Sequence, residues 1–103
     1  MTALAAAVLV ASTLGGVQAA PSCPAEVYEY AWPVDQACSV SWCESRWLPD
    51  AIGGSNYGLF QVNAVHRGRV GGDVLRLLEP ATNVRIAYDL WRAEGWGPWS
   101  CKP

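Results

Sequence analysis

The stretch that decides the fold is Val34-Asp35-Gln36-Ala37-Cys38-Ser39-Val40-Ser41-Trp42-Cys43-Glu44-Ser45. Val34, Ala37, Cys38, Ser41 and Trp42 recur at helical spacing, and Pro33 is well placed to open the segment, so the pattern predicts a helix that carries Glu44 in its last turn. Twelve residues beyond Glu44 comes Asn56-Tyr57-Gly58-Leu59-Phe60-Gln61-Val62-Asn63, an amide-rich run opened by the glycines of Gly53-Gly54-Ser55-Asn56. A glutamate at the end of an apolar helix, followed by amides suited to a polar, sugar-sized cleft, is the profile of a general acid for glycosidic bonds. Trp42 and Trp47 are expected to give that carboxyl an apolar setting.

Outward from this helix the chain reads as one domain without repeats. Glu26 to Trp32 suits a short helix broken by Pro33. Pro49 and the Gly53 to Asn56 run force a loop. Periodicity does not decide between a helical turn and extended chain for Tyr57 to Val62. Asp73 caps a short helix from Val74 to Leu78, and Pro80 opens the clearest helix, which runs to Glu94 with Val84, Ala87, Tyr88 and Trp91 on one stripe and Gly95 as its stop. The expected fold class is mainly α, a small disulfide-stapled single domain.

Residues 1–19 contain no Asp, Glu, Lys or Arg, and Ala3 to Leu14 is almost entirely Ala, Leu and Val. A membrane span needs about twenty consecutive apolar residues, and Ser12, Thr13, Gly15, Gly16, Gln18 and Pro21 interrupt this one too early. Residues 1–19 are therefore read as a secretory signal peptide, cleaved after Ala19 or Ala20, with residues 20–103 as the mature domain and no stable membrane insertion after cleavage. Removing them from the 103-residue chain leaves 84 residues, a size at which a hydrophobic core alone gives a thin margin. Cys23, Cys38, Cys43 and Cys101 all lie in that part, and in an exported chain they read as disulfides. With His66 the only histidine and the cysteines widely spaced, no metal site or other cofactor is expected.

The helix constrains the pairing. Cys38 and Cys43 are five residues apart, which on a helix places their Cα atoms roughly 8 to 9 Å apart on diverging faces, too far for a disulfide. Two connectivities survive: Cys43 with Cys101 and Cys23 with Cys38, or Cys38 with Cys101 and Cys23 with Cys43. Either ties the tail to the Glu44 helix.

Seven basic against nine acidic residues, with no basic cluster, argue against nucleic acid as a partner. Six tryptophans and four tyrosines are a heavy aromatic load. Four of the tryptophans are expected in the core and two on a glycan-binding surface. Tyr57 is read as a cleft-wall residue. Gln61 and Asn63 either cap turns or bind acetamido groups, His66 is a loop residue, Arg67 and Arg69 are a solvated pair, and Asn83 is a structural hydrogen-bonder facing the Glu44 helix.

Cys43-Glu44-Ser45, Tyr57-Gly58-Leu59-Phe60-Gln61, Glu79-Pro80 with Asn83-Val84 and Ala87, and Gly95-Trp96-Gly97-Pro98-Trp99-Ser100-Cys101 together resemble the lysozyme-like superfamily, in particular soluble lytic transglycosylase domains and the catalytic domains of resuscitation-promoting factors. The resemblance runs from about Trp32 to Cys101. It implies a lysozyme-like, mainly α (α+β) fold and a secreted, monomeric, wall-associated enzyme whose partner is the glycan strand of peptidoglycan. It also implies cleavage of the β-1,4 bond between N-acetylmuramic acid and N-acetylglucosamine with Glu44 as the essential acid, and substrate contacts at Asn56, Tyr57, Gln61, Asn63 and Trp99. In resuscitation-promoting factors a cysteine just before the glutamate pairs with one at the carboxyl end, which favours Cys43 with Cys101. Animal-type lysozymes hold a second carboxylate just before the Tyr-Gly of the amide-rich segment, where this chain has Asn56. The resemblance therefore implies a lytic transglycosylase, with a hydrolytic muramidase, a chitin-directed hydrolase or a non-catalytic secreted glycan-binding module as alternatives.

Overall fold

The computed structural model describes residues 21–103; the apolar stretch read as a leader lies outside them. Helix dominates: α1 (Val34–Ser45) and α2 (Pro80–Glu94) are joined by a small sheet and by 3-10 segments at Ala64–Val70 and Val74–Leu78, with a further 3-10 segment, Ala25–Glu29, ahead of α1. Both α-helices have the bounds expected from the sequence. Pro33 is the residue before α1 rather than its first helical residue, whereas Pro80 occupies the first turn of α2, where its missing N–H costs nothing.

The end of α1 is unusual. Arg46 and Trp47 both have positive φ, 56° and 61°, a conformation that costs a non-glycine residue about 1–2 kcal/mol. Side chains offset this. The Trp47 indole Nε1 donates to the Cys38 carbonyl (3.2 Å) and to Ser41 Oγ (3.1 Å), and the Arg46 guanidinium lies 5.1 Å from the Trp42 ring centroid. Both residues fold back onto the last two turns, and the chain reverses immediately after Ser45.

That reversal feeds β1 (Ile52–Gly53), β2 (Asn56–Tyr57) and β3 (Val62–Asn63), antiparallel in the order β1-β2-β3. Gly53 faces Asn56, Asn56 faces Asn63, and Tyr57 lies between Ile52 and Val62. The Tyr57 to Val62 segment left open by periodicity thus joins two strands through a turn at Gly58 to Gln61. Asp73 caps the Val74–Leu78 segment as expected, its Oδ1 accepting from the Leu75 N–H at 3.1 Å.

The core gathers Val27, Val40, Leu59, Phe60, Leu77, Val84 and Ile86 from both α-helices, two of the 3-10 segments and the turn between Tyr57 and Val62. Trp32 sits among aromatic rings, 5.3 Å from Phe60, 5.5 Å from Tyr88 and 5.7 Å from Trp96 between centroids. Trp91 and Trp99 extend the cluster through Trp96. Disulfides join Cys23 to Cys38 and Cys43 to Cys101, the connectivity that the resemblance favours. Among the described residues no helix is long and apolar enough to cross a membrane.

Candidate active site

Glu44 is half-buried at the penultimate position of α1. Its Oε2 accepts the backbone N–H of Cys101 at 3.2 Å, a residue 57 positions away that is also bonded to Cys43. Two residues earlier on the same tail, the Trp99 indole Nε1 donates to the Phe60 carbonyl at 2.9 Å. Two residues of chain span at most about 7 Å. The tail therefore ties the Glu44 carboxyl to the turn between β2 and β3.

On that turn the predicted site residues divide. Asn63 Nδ2 donates to Asn56 Oδ1 at 3.1 Å across the β2–β3 pair, while Asn63 Oδ1 accepts from the Val65 N–H at 2.9 Å and starts the next 3-10 segment. Asn63 thus caps, and the pair stays at the surface. Tyr57 is half-buried between its strand neighbours. Gln61 turns inward: its Nε2 donates to the carbonyls of Ala51 (3.1 Å) and Gly58 (3.0 Å), so both amide protons brace the turn. Trp99, expected to contact substrate, is a core residue with only 6% of its surface exposed.

Asn83 also differs from expectation. It is fully buried and faces the β2–β3 turn instead of α1. Its Oδ1 accepts from the Phe60 N–H (2.8 Å), and its Nδ2 donates to the carbonyls of Tyr57 (2.8 Å) and Leu77 (2.7 Å). Gly58 lies against this amide. A Cβ there would collide with Asn83 Nδ2 and stand 2.7 Å from the Leu77 carbonyl oxygen, and its φ of 78° independently favours glycine.

Two tryptophans stand outside the aromatic core, matching the expected number but not the expected place. Trp42 and Trp47 pack edge to face at 4.8 Å and line an open groove of about 460 Å3 with Pro21, Asp35, Cys38 and Ser39. At about 100° per residue, Asp35, Cys38, Ser39 and Trp42 fall on the side of α1 opposite Glu44. The pair does not give Glu44 the apolar setting expected from its neighbours in sequence.

His66 belongs to the Ala64–Val70 3-10 segment rather than a loop. Its Nδ1 accepts from Arg69 Nε at 3.3 Å. Burial, and then the Arg69 charge, hold its pKa below the usual histidine value, against an opposing pull from Glu94. Among the described residues no three His, Cys, Asp or Glu side chains come together as a metal site would require.

The profile of the transglycosylase SLT domain matches residues 25–93. The chain belongs to the transglycosylase SLT domain family. No curated protein and no solved structure gives a match. Membership makes this SLT domain a transglycosylase- or lysozyme-like glycan-cleaving module with peptidoglycan as the substrate of its class. The matched span holds α1, the sheet and α2 up to Ala93, and it stops before the tail. Each disulfide therefore joins α1, inside the SLT match, to a cysteine outside it: Cys23 before and Cys101 after. The Cys101 amide on Glu44 is a contact that no local pattern in the sequence announces.

Proposed function

We propose that this SLT domain is a secreted, monomeric lytic transglycosylase that cleaves the β-1,4 bond between N-acetylmuramic acid and N-acetylglucosamine in peptidoglycan, with Glu44 as acid and then base. The observation that carries the reading is Asn56. Where a lysozyme-type enzyme would hold a second carboxylate there is an amide, fixed by Asn63, and an amide cannot act as an anionic nucleophile. One carboxyl then performs both steps. Glu44 gives its proton to the O4 of the leaving N-acetylglucosamine as the C1–O4 bond breaks. The muramyl C6 hydroxyl attacks C1, and its proton passes to the Glu44 carboxylate, closing a 1,6-anhydro ring and restoring the acid without consuming water. Tyr57, Asn56 and Asn63 are the substrate-facing residues in this reading, and Gln61 shapes the turn that presents them.

The second reading, a hydrolytic muramidase, would take exposed Asp50, between α1 and β1, as the base that activates water. Mass analysis of muropeptides released from purified peptidoglycan in 18O-labelled water separates the two. Anhydro-muramyl ends without label are expected; reducing ends carrying solvent oxygen at C1 would replace the transglycosylase reading with the hydrolytic one. Glu44→Gln should reduce turnover by about a hundredfold or more with the fold intact, and Asn56→Ala far less. Full release of products by Glu44→Gln would remove Glu44 from the mechanism, and glycan binding without turnover by the unaltered protein would make it a binding module.

A further inference from the structure

The carboxyl-terminal tail is fastened to the body at three points and knotted on itself by a fourth residue, all around one amide. Trp96 Nε1 donates to Gln36 Oε1 on α1 at 2.9 Å, Trp99 Nε1 to the Phe60 carbonyl, Cys101 is bonded to Cys43, and Lys102 Nζ donates to the carbonyls of Trp96 (3.1 Å), Gly97 (3.3 Å) and Trp99. Within this knot the Cys101 N–H points to Glu44 Oε2 instead of to any backbone carbonyl. A main-chain N–H turned away from water needs a partner, and for this part-buried one the partner is the side chain assigned the proton transfer.

We infer that the Cys101 main-chain amide is a positioning group that dedicates the two oxygens of Glu44 to different tasks, an inference that rests on Glu44 being the acid. An oxygen that already accepts an N–H is the poorer seat for the acid proton, because a protonated carboxyl keeps one O–H donor and accepts best at its other oxygen. Oε2 is thereby held as the anchor. Oε1 carries the proton to the leaving O4 and, once bare, receives the proton of the C6 hydroxyl, so both halves of the cycle pass through one fixed point. The Trp96 and Trp99 anchors and the Lys102 knot aim this amide, and the Cys43–Cys101 bond adds to their hold. Cys101 lies beyond the SLT-matched span, so the aim is supplied from outside the matched residues.

The test compares two variants that both lack the disulfide. Cys43→Ala with Cys101→Ala keeps the amide, whereas Cys43→Ala with Cys101→Pro removes it, proline having no N–H. Each is assayed on soluble glycan strands at a temperature where circular dichroism shows it folded. The proline variant should have a kcat about tenfold below the alanine variant, the cost expected for a hydrogen bond to an ionisable partner, with KM changed by less than about twofold. Equal kcat values would overturn the inference. A second measurement needs no variant of the tail: the Cys101 amide proton resonance of the oxidised protein should move as Glu44 ionises and lose that response in Glu44→Gln. If the proline variant does not fold, this titration decides, and a resonance indifferent to Glu44 refutes the contact. The acid reading fails separately, through Glu44→Gln that turns over normally, whatever the amide does.

Discussion

The two α-helices are held in place by different means. α2 buries Thr82, Asn83, Val84, Ile86, Ala87 and Leu90, a broad stripe that is apolar apart from Thr82 and the hydrogen-bonding amide of Asn83, and it is opened by Pro80 and stopped by Gly95. α1 buries only Ala37, Val40, Ser41 and Ser45, side chains too small to anchor a helix by packing alone. It is fastened instead by two disulfides, by the clamp of Trp47 on its own last turns and by the tail. Packing consumes the face that it uses. Stapling leaves α1 two free faces, one for Glu44 and one for the Trp42 groove, while still fixing where the carboxyl stands.

Reduction breaks this contrast most severely. The Cys43–Cys101 bond spans 58 residues and Cys23–Cys38 spans 15, for which chain entropy gives about 4 and about 3 kcal/mol, together comparable with the whole stability of a domain this size. Reduced protein should lose cooperative melting by circular dichroism and lose activity. A reduced form that melts sharply near the temperature of the oxidised one would mean that α1 is held by its packing after all.

The matching blow to α2 is Asn83→Ala. It strands the Phe60 N–H and the carbonyls of Tyr57 and Leu77, at a cost of about 3 kcal/mol or more in urea unfolding. Gly58→Ala should cost a similar amount, because the new methyl meets the same amide in a backbone conformation that resists a side chain. If both variants unfold at the urea concentration of the parent, the turn does not depend on α2.

What the sequence made legible follows the same division. α2 could be bounded to the residue because Pro80, a 3.6-residue stripe and Gly95 are local signals, and Glu44 stands out as a candidate because its helix and the amide-rich run lie close in sequence. The two-residue strands were too short to show alternation. The Ala64–Val70 segment starts with a cap that Asn63 supplies from the preceding strand, so its own residues carry no start signal. The tryptophans divided by number but not by place: Trp99 is committed to the core by a carbonyl 39 residues away, and Trp42 is turned from Glu44 by helical geometry. The amide on Glu44 belongs to a residue in a disulfide, and pairing alone does not say where that residue's N–H will point.

The smallest expected effect tests whether pH reaches the packed half of the molecule without touching the stapled helix. His66 Nδ1 can accept from Arg69 Nε only while the imidazole is neutral. Burial and the Arg69 charge lower its pKa from 6.5 in the fold, outweighing Glu94 at the end of α2. The folded state therefore binds this proton less readily than the unfolded chain does, so folding stability should be flat on this account above about pH 6.5 and decline as pH falls below it. Urea midpoints measured from pH 7.5 to 5 should show a small extra loss in the parent relative to His66→Gln, which has no imidazole to protonate. A parent that instead gains on the variant as pH falls would mean that Glu94 governs His66, and that the end of α2 is joined to the 3-10 segment by an ion pair rather than by neutral packing.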